Sequence, residues 1–269
     1  MNYHKQFRVK PGARVRLKEY DPDDAGGLRD KSEAEKPMQK NLERLSDLQY
    51  LLYAEGRRAL LVVLQAMDAG GKDGTVRHVM SGLNPQSCRV TSFKVPSAME
   101  LAHDFLWRIH AAMPAKGEIG IFNRSHYEDV LVARVHGLVS EKVWRARYGQ
   151  INRFEEILSE NNIRILKFFL HISKAEQRKR LEERLKDPAK NWKISPADLA
   201  ERTRWGAYVE AYEEALSRCS TDEAPWFIIP ANHKWFRNLA VSQIIVEALD
   251  EMGMKLPPPS FDVSKVRLR

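Results

Sequence analysis

"ALLVVLQAMDAGGKDGTVRHV", residues 59–79, is the stretch on which the fold turns. The apolar run Ala59 to Leu64 reads as a buried strand. It feeds directly into a glycine-rich loop, and a helix is expected from Lys72 to about Ser81. The loop nearly meets the Walker-type pattern G-x-x-x-x-G-K-[ST]. Gly71 and Lys72 are in place, but Ala66 stands at the first glycine and Asp73 at the hydroxyl residue. Such a loop needs backbone N–H groups converging on phosphate oxygens, a helix N-terminus aimed at the anion, and a cation. Gly70, Gly71 and Gly74 would let the backbone approach closely, and Lys72 would supply the charge. Ala69, Asp73 and Thr75 complete the expected phosphate-binding stretch, with Arg77 one turn further along. Ala66 should be tolerated if its φ stays negative. Asp73 suits the first turn of a helix through the dipole. Asp68, inside the loop, makes sense beside phosphate mainly with a divalent cation between them.

Outward from this loop, strands alternate with helices. Strands are expected at 88–93, 117–122, 163–172 and 224–231. Leu42, Leu45, Leu48 and Leu52 recur at helical spacing over Pro37 to Gly56. Ser97 and Glu100 form a capping box for a helix running to Pro114, and Ser173 and Glu176 form another. From Ser140 a long amphipathic helix carries Trp144, Tyr148, Ile151, Phe154 and Leu158 on one side. A final helix runs to about Met252. The alternation implies β-α-β units and a parallel sheet covered on both faces. Ligands of such sheets lie at the carboxyl ends of the strands. The glycine loop and "NRSHYED" (123–129) both follow strands, so they should share that edge.

Between the fourth and fifth strands lies an insertion, about 174–217, read as two helices joined by a basic turn with Lys186, Lys190 and Lys193. Its position beside the strand ends suits a lid. Residues 1–36 carry Gly, Pro and mixed charge without apolar periodicity and read as a surface segment ahead of a domain spanning 37–255. The proline-bearing tail 256–269 cannot continue the last helix.

The chain has 269 residues and a formal net charge of +8, which suits a polyanionic partner. No apolar run is long enough to span a bilayer. No secretory signal opens the chain, so a cytoplasmic location is expected. Cys88 and Cys219 are lone and distant, supporting neither a disulfide framework nor a zinc site.

The loop, "FNRSHYEDV" (122–130), "LKFFLHISKAEQRKRLEERL" (166–185), "KNWKIS" (190–195) and "APWFIIPA" (224–231) together resemble the family-2 polyphosphate kinases. The resemblance runs from about Leu42 to Met252. It implies a three-layer αβα P-loop kinase fold, thymidylate-kinase-like, with a parallel sheet and a helical lid. It also implies Mg²⁺-dependent phosphoryl transfer between inorganic polyphosphate and nucleotides, with Mn²⁺ able to substitute. AMP, ADP and ATP are the expected nucleotides, with GMP and GDP as further candidates, and homodimers or homotetramers the expected assembly. Much of the family begins its second motif with aspartate and continues R-S-W-Y-N-R. Here it reads Asn123, Arg124, Ser125, His126, Tyr127, Glu128, Asp129, similar to the subgroup acting on both AMP and ADP. With the usual Walker B carboxylate absent at Asn123, Asp129 and Glu128 become the local candidates to join Asp68 at the metal. Asn123, Glu128 and Asp129 are also the nucleotide-side candidates.

The mechanism implied is in-line transfer, which needs positioning and charge neutralisation more than covalent help. Asp68, Lys72 and Arg124 would act at the transferred group, with Arg178 and Arg184 as the lid arginines. Lys190 and Lys193 would line the polyphosphate path. His126 could meet phosphate or be packed beside Tyr127, and Trp192 could stack on a base or pack the lid. Trp107, Trp144 and Trp205 read as core. Two rivals remain. An ATP-dependent nucleotide kinase would be expected to keep the loop hydroxyl and a Walker B aspartate. A binding-only basic protein leaves the acids around the loop unexplained. No membrane or nucleic-acid partner is expected.

Overall fold

A computed structural model describes residues 2–267. At its centre lies a five-stranded parallel sheet in the order β2-β3-β1-β4-β5. The strands are β1 (Ala59–Ala66), β2 (Cys88–Ser92), β3 (Ile119–Asn123), β4 (Ile163–His171) and β5 (Trp226–Pro230). Every residue of β1 is buried, as a central parallel strand covered on both faces requires. Its side chains divide by parity. Leu61 and Val63 pack with Phe154 and Leu158 of the helix Glu141–Glu160. Leu60, Val62 and Leu64 join the larger core with Leu45, Ile244 and Leu249. That second layer is built from the helices Lys31–Glu55 and Lys234–Glu251, the latter buried almost all round. Helices therefore cover both faces of the sheet, the three-layer arrangement expected. Register places Leu64 beside Asn123 and Phe168, so the ends of β1, β3 and β4 meet at one edge.

The N-terminal region departs from expectation. Its helix starts at Lys31, capped by the Asp30 side chain, so Pro37 lies inside it and the boundary placed at 36/37 falls within one element. Upstream, Tyr3, Phe7, Val9, Val15 and Leu17 are buried. Tyr3 and Phe7 pack edge-on against Phe236, with ring centroids 5.4 and 5.9 Å away. The Val9 amide donates to the Trp226 carbonyl at 2.8 Å, so this segment covers the otherwise open edge of β5. Its apolar residues are too scattered to show a period, which is why the sequence read as surface.

Two helices are also broken where one was expected. After the capping box at Ser97 the chain forms two short pieces, Ala98–Leu101 and Trp107–Ala111. The Asp104 carboxylate takes the Leu106 amide at 2.9 Å and restarts the turn there. Trp107 is consequently not core: it is 39% exposed and stacks on His103. In the insertion, the second helix divides into Pro196–Thr203 and Trp205–Arg218 at Arg204. Among the described residues no helix is long and apolar enough to cross a membrane.

Candidate active site: the phosphate loop and its groove

The loop between β1 and the helix Lys72–Val79 is shaped by steric necessity. Ala66 is still strand, so an alanine there costs nothing. A Cβ on Gly70 would lie 2.4 Å from the Ala66 Cβ, and Gly71 caps the helix at φ 103°. Ala69 accepts a left-handed φ of 59°, a conformation costing a non-glycine residue about 1–2 kcal/mol. The helix N-terminus and its free N–H groups thus face the strand ends, the geometry that binds phosphate.

Lys72 reaches back to the Ala66 carbonyl at 3.0 Å. Burial and the nearby Arg124 lower its pKa, against Asp68, Glu128 and Asp73, so an arriving anion would favour its charged form. Arg124, itself at φ 65°, stands 3.5 Å from Asp68. Burial works against its charge, but Glu128 and Asp68 more than compensate, leaving the pKa raised. The same two acids help push up the phenols of Tyr208 and Tyr212, behind burial as the first cause. Asp68, Glu128, Lys72, Arg124 and the two tyrosines therefore share one electrostatic space. Glu128 is oriented by Gln65, whose Nε2 donates to it at 3.0 Å. Asn123 donates to Asp73 at 2.7 Å, tying the second motif to the loop helix.

Not every expected residue arrives. Asp129 is held by Arg147, which donates to both its carbonyl (2.9 Å) and its carboxylate (3.1 Å). Burial raises its pKa despite that partner, and it is no longer a free ligand. Thr75 is fully buried and bonds the Gly71 carbonyl at 3.2 Å, turned away from the groove. Arg178 is 72% exposed and paired with Glu182 on the outer face of its helix. The inner face of that helix carries Gln177, Arg180 and Leu181, with Arg184 one turn on. Gln177 donates to the Asp68 carbonyl at 3.0 Å. Arg180, which sequence reasoning passed over, bonds the carbonyls of Ala69 (3.0 Å), Gly70 (3.1 Å) and Asn232 (3.1 Å). It clamps the loop to the lid helix and to the end of β5. The 177–180–181–184 spacing of one helix face, which leaves Arg178 outside it, was the signal that could have separated the two arginines.

A groove of about 1230 Å³ opens from the loop, lined by Asp68 to Gly74, Arg77, Asn123 and Arg124 on one side. Arg184, Lys190, Lys193 and Lys234 line another wall. Lys190 is also paired with Asp187, and Lys193 sits 5.0 Å from the Trp192 ring. Trp192 itself is 78% exposed. His126 is wholly buried, 3.1 Å from Glu155, and so belongs to the interior rather than to phosphate.

Among the described residues no group of three or more His, Cys, Asp or Glu is arranged to hold a metal ion. Mg²⁺ beside phosphates is commonly held by one or two carboxylates, with waters and substrate oxygens completing the shell. Asp68 and Glu128, hard oxygen donors facing the loop cation, fit such a site. Asp129 does not.

A parallel sheet in this order, a phosphate loop at its edge and a basic groove beside that loop make the architecture of a P-loop phosphotransferase. The polyphosphate kinase 2 family model matches residues 28–257, and the chain belongs to that family. It is 53% identical to the AMP/ADP-polyphosphate phosphotransferase of Meiothermus ruber over 97% of this chain and 98% of that one. It is 49% identical to the ADP-polyphosphate phosphotransferase of Rhodopseudomonas palustris, over 94% of this chain and 92% of that one. The crystal structure of polyphosphate kinase 2 from Arthrobacter aurescens TC1 superposes with a TM-score of 0.95 at 42% identity, covering 98% of this chain and 94% of that one.

Proposed function

We propose that this chain transfers the terminal phosphoryl group of inorganic polyphosphate to AMP and to ADP, in line and reversibly. The observation that carries the reading is a basic groove, suited to a polyanion, that takes in the loop cation Lys72 together with Arg124 and Asp68. Glu128 joins them electrostatically, acting on both Lys72 and Arg124. The groove would hold the donor with its end phosphate at the loop amides. Lys72 and Arg124 would neutralise the transferred group, and Arg184 would close over it from the lid. Asp68 and Glu128 would hold Mg²⁺, which would supply further neutralisation of phosphate charge; Mn²⁺ should substitute. An ionised nucleotide phosphate is already nucleophilic, so no side chain need remove a proton. Asn123 would act indirectly, by holding Asp73. GMP and GDP are further acceptors to be tried, and a homodimer or homotetramer is the assembly expected.

The test is purified protein with Mg²⁺, polyphosphate and AMP, following ADP and ATP over time with no other donor. ADP should appear first and ATP second. Phosphorylation of AMP by ATP with polyphosphate inert would establish an ordinary nucleotide kinase instead. Tight polyphosphate binding without turnover would establish a binding module.

A further inference from the structure

Behind the phosphate loop lies a second cation that the mechanism above does not use. Arg237, near the start of the last helix, is only 2% exposed, yet it lines the groove. Its Nε and Nη2 donate to Asn238 at 3.1 and 2.8 Å. Among the described residues no carboxylate lies within ion-pair distance of it, and its Nη1 has no hydrogen-bond acceptor. Nη1 lies where a Cβ on Gly71 would be, 1.9 Å from that position. Nη2 lies 3.2 Å from where a Cβ on Gly74 would be. Gly74 has no positive φ to demand glycine. It leaves room for this guanidinium. Burial, and then the neighbouring Arg180, pull the Arg237 pKa down to about 9. Arg180 has Glu176 at 2.7 Å to offset its charge; Arg237 has nothing comparable.

An isolated buried charge is strongly unfavourable unless something pairs with it. A chain that folds its glycines around such a group leaves a place for an anion. The geometry points to Arg237 as a donor-binding residue that grips a non-reacting phosphate of the polyphosphate chain through its free Nη1, at the floor of the groove beside Gly71 and Gly74. This rests on the polyphosphate reading above. The transferred phosphate belongs to Lys72 and Arg124; Arg237 would hold the part of the donor that leaves.

The experiment measures binding of long-chain sodium polyphosphate by calorimetry without nucleotide, with AMP binding measured in parallel. Arg237→Met keeps the side-chain length and removes the charge. Loss of one charge-assisted contact should weaken polyphosphate binding roughly ten- to hundredfold, with AMP affinity changed far less. The slope of log K against log salt should become shallower by about 0.7, one phosphate's worth. Because the unliganded protein carries an unpaired buried cation, its melting temperature should stay level or rise in this variant. A structural arginine predicts the reverse: a lower melting temperature and unchanged polyphosphate affinity, which would overturn the assignment. If the methionine variant fails to fold, Arg237→Lys carries the test. It keeps the charge but loses the planar fork, so it should bind several-fold more weakly with the salt slope unchanged, and wild-type affinity would overturn the assignment. Failure of the wild-type protein to bind polyphosphate would remove the functional reading itself, and this inference with it.

Discussion

In the function proposed, Lys72 and Asp68 would act through charge at the loop rather than through packing, so activity and stability should separate in their variants. Lys72→Ala and Asp68→Asn should each lose roughly 10²–10³ in rate with unchanged melting temperature. Asp68→Asn should also flatten the dependence on Mg²⁺. Turnover near wild type at saturating Mg²⁺ and substrate would remove either residue from the site. Glu128 offers a finer test. AMP presents one phosphate and ADP two, so the attacking oxygen reaches the loop from different depths. Held by Gln65 and acting electrostatically on Lys72, the Glu128 carboxylate would, in the function proposed, hold a Mg²⁺ or water needed most by the shorter acceptor. Glu128→Asn should therefore lower kcat/KM for AMP clearly more than for ADP; parallel losses would refute the selective role. Away from the groove, Glu155 is buried with Lys167, Tyr127 and His126. Burial would raise its carboxyl pKa, but Lys167 and His126 outweigh burial and hold it below the ordinary value. A depressed folded pKa contributes stability that is complete above the unfolded value, about 4.3. That contribution is lost as pH falls through the lower folded value. Glu155→Gln should cost about 3–5 kcal/mol at pH 7 by leaving Lys167 unpaired. It should also flatten the acid limb of a urea-unfolding profile; an acid limb like that of wild type would contradict this account.

At the level of elements, the helix Lys174–Lys186 turns one face to the loop and groove and the other to solvent. Arg178→Ala should leave activity close to wild type, because its partner Glu182 lies with it in solvent. Arg184→Ala, on the groove wall, should lower kcat/KM for polyphosphate by roughly 10²-fold, as expected of a group closing over transferred charge. Equal effects in the two variants, by steady-state kinetics, would mean that the helix rotates on closing. Four of the strands were legible because buried parallel strands make apolar runs, whereas β2, a partly exposed edge strand, was legible from the alternation in CRVTS; all five bounds agree with the observed ones to within two residues. The loop was legible for another reason: glycines and a lysine between strand and helix have few other uses. What the sequence concealed depends on tertiary partners. Nothing near Asp129 announces Arg147, eighteen residues on. Nothing in "KWFRNLA" marks Arg237 as facing Gly71, because the buried helix is apolar on nearly every side and gives no periodicity to read. The N-terminal segment was misread in the same way, since its few apolar residues find a core built by strands more than two hundred residues away.

For the whole molecule, the decisive quantity is how many donor phosphates the protein neutralises at once. The net charge of +8 is not spread evenly, because Arg77, Arg184, Lys190, Lys193, Lys234 and Arg237 converge on one groove leading away from the loop. A polyphosphate chain lying there displaces its own counterions, and their release makes binding entropically favourable and sensitive to salt. By analogy with single-stranded nucleic acid, each neutralised phosphate contributes about −0.7 to the slope of log K against log salt. Long-chain polyphosphate should therefore show a slope of roughly −3 or steeper, and tripolyphosphate a distinctly shallower one. Reversing Lys190 and Lys193 together to glutamate should weaken the long chain more than the short one if these groove-lining lysines meet donor phosphates beyond those held by the loop. Both effects can be read from titrations across a salt series. If short and long chains give the same slope, or the double variant weakens both equally, the donor occupies only the loop and the groove's charge serves nothing beyond solubility.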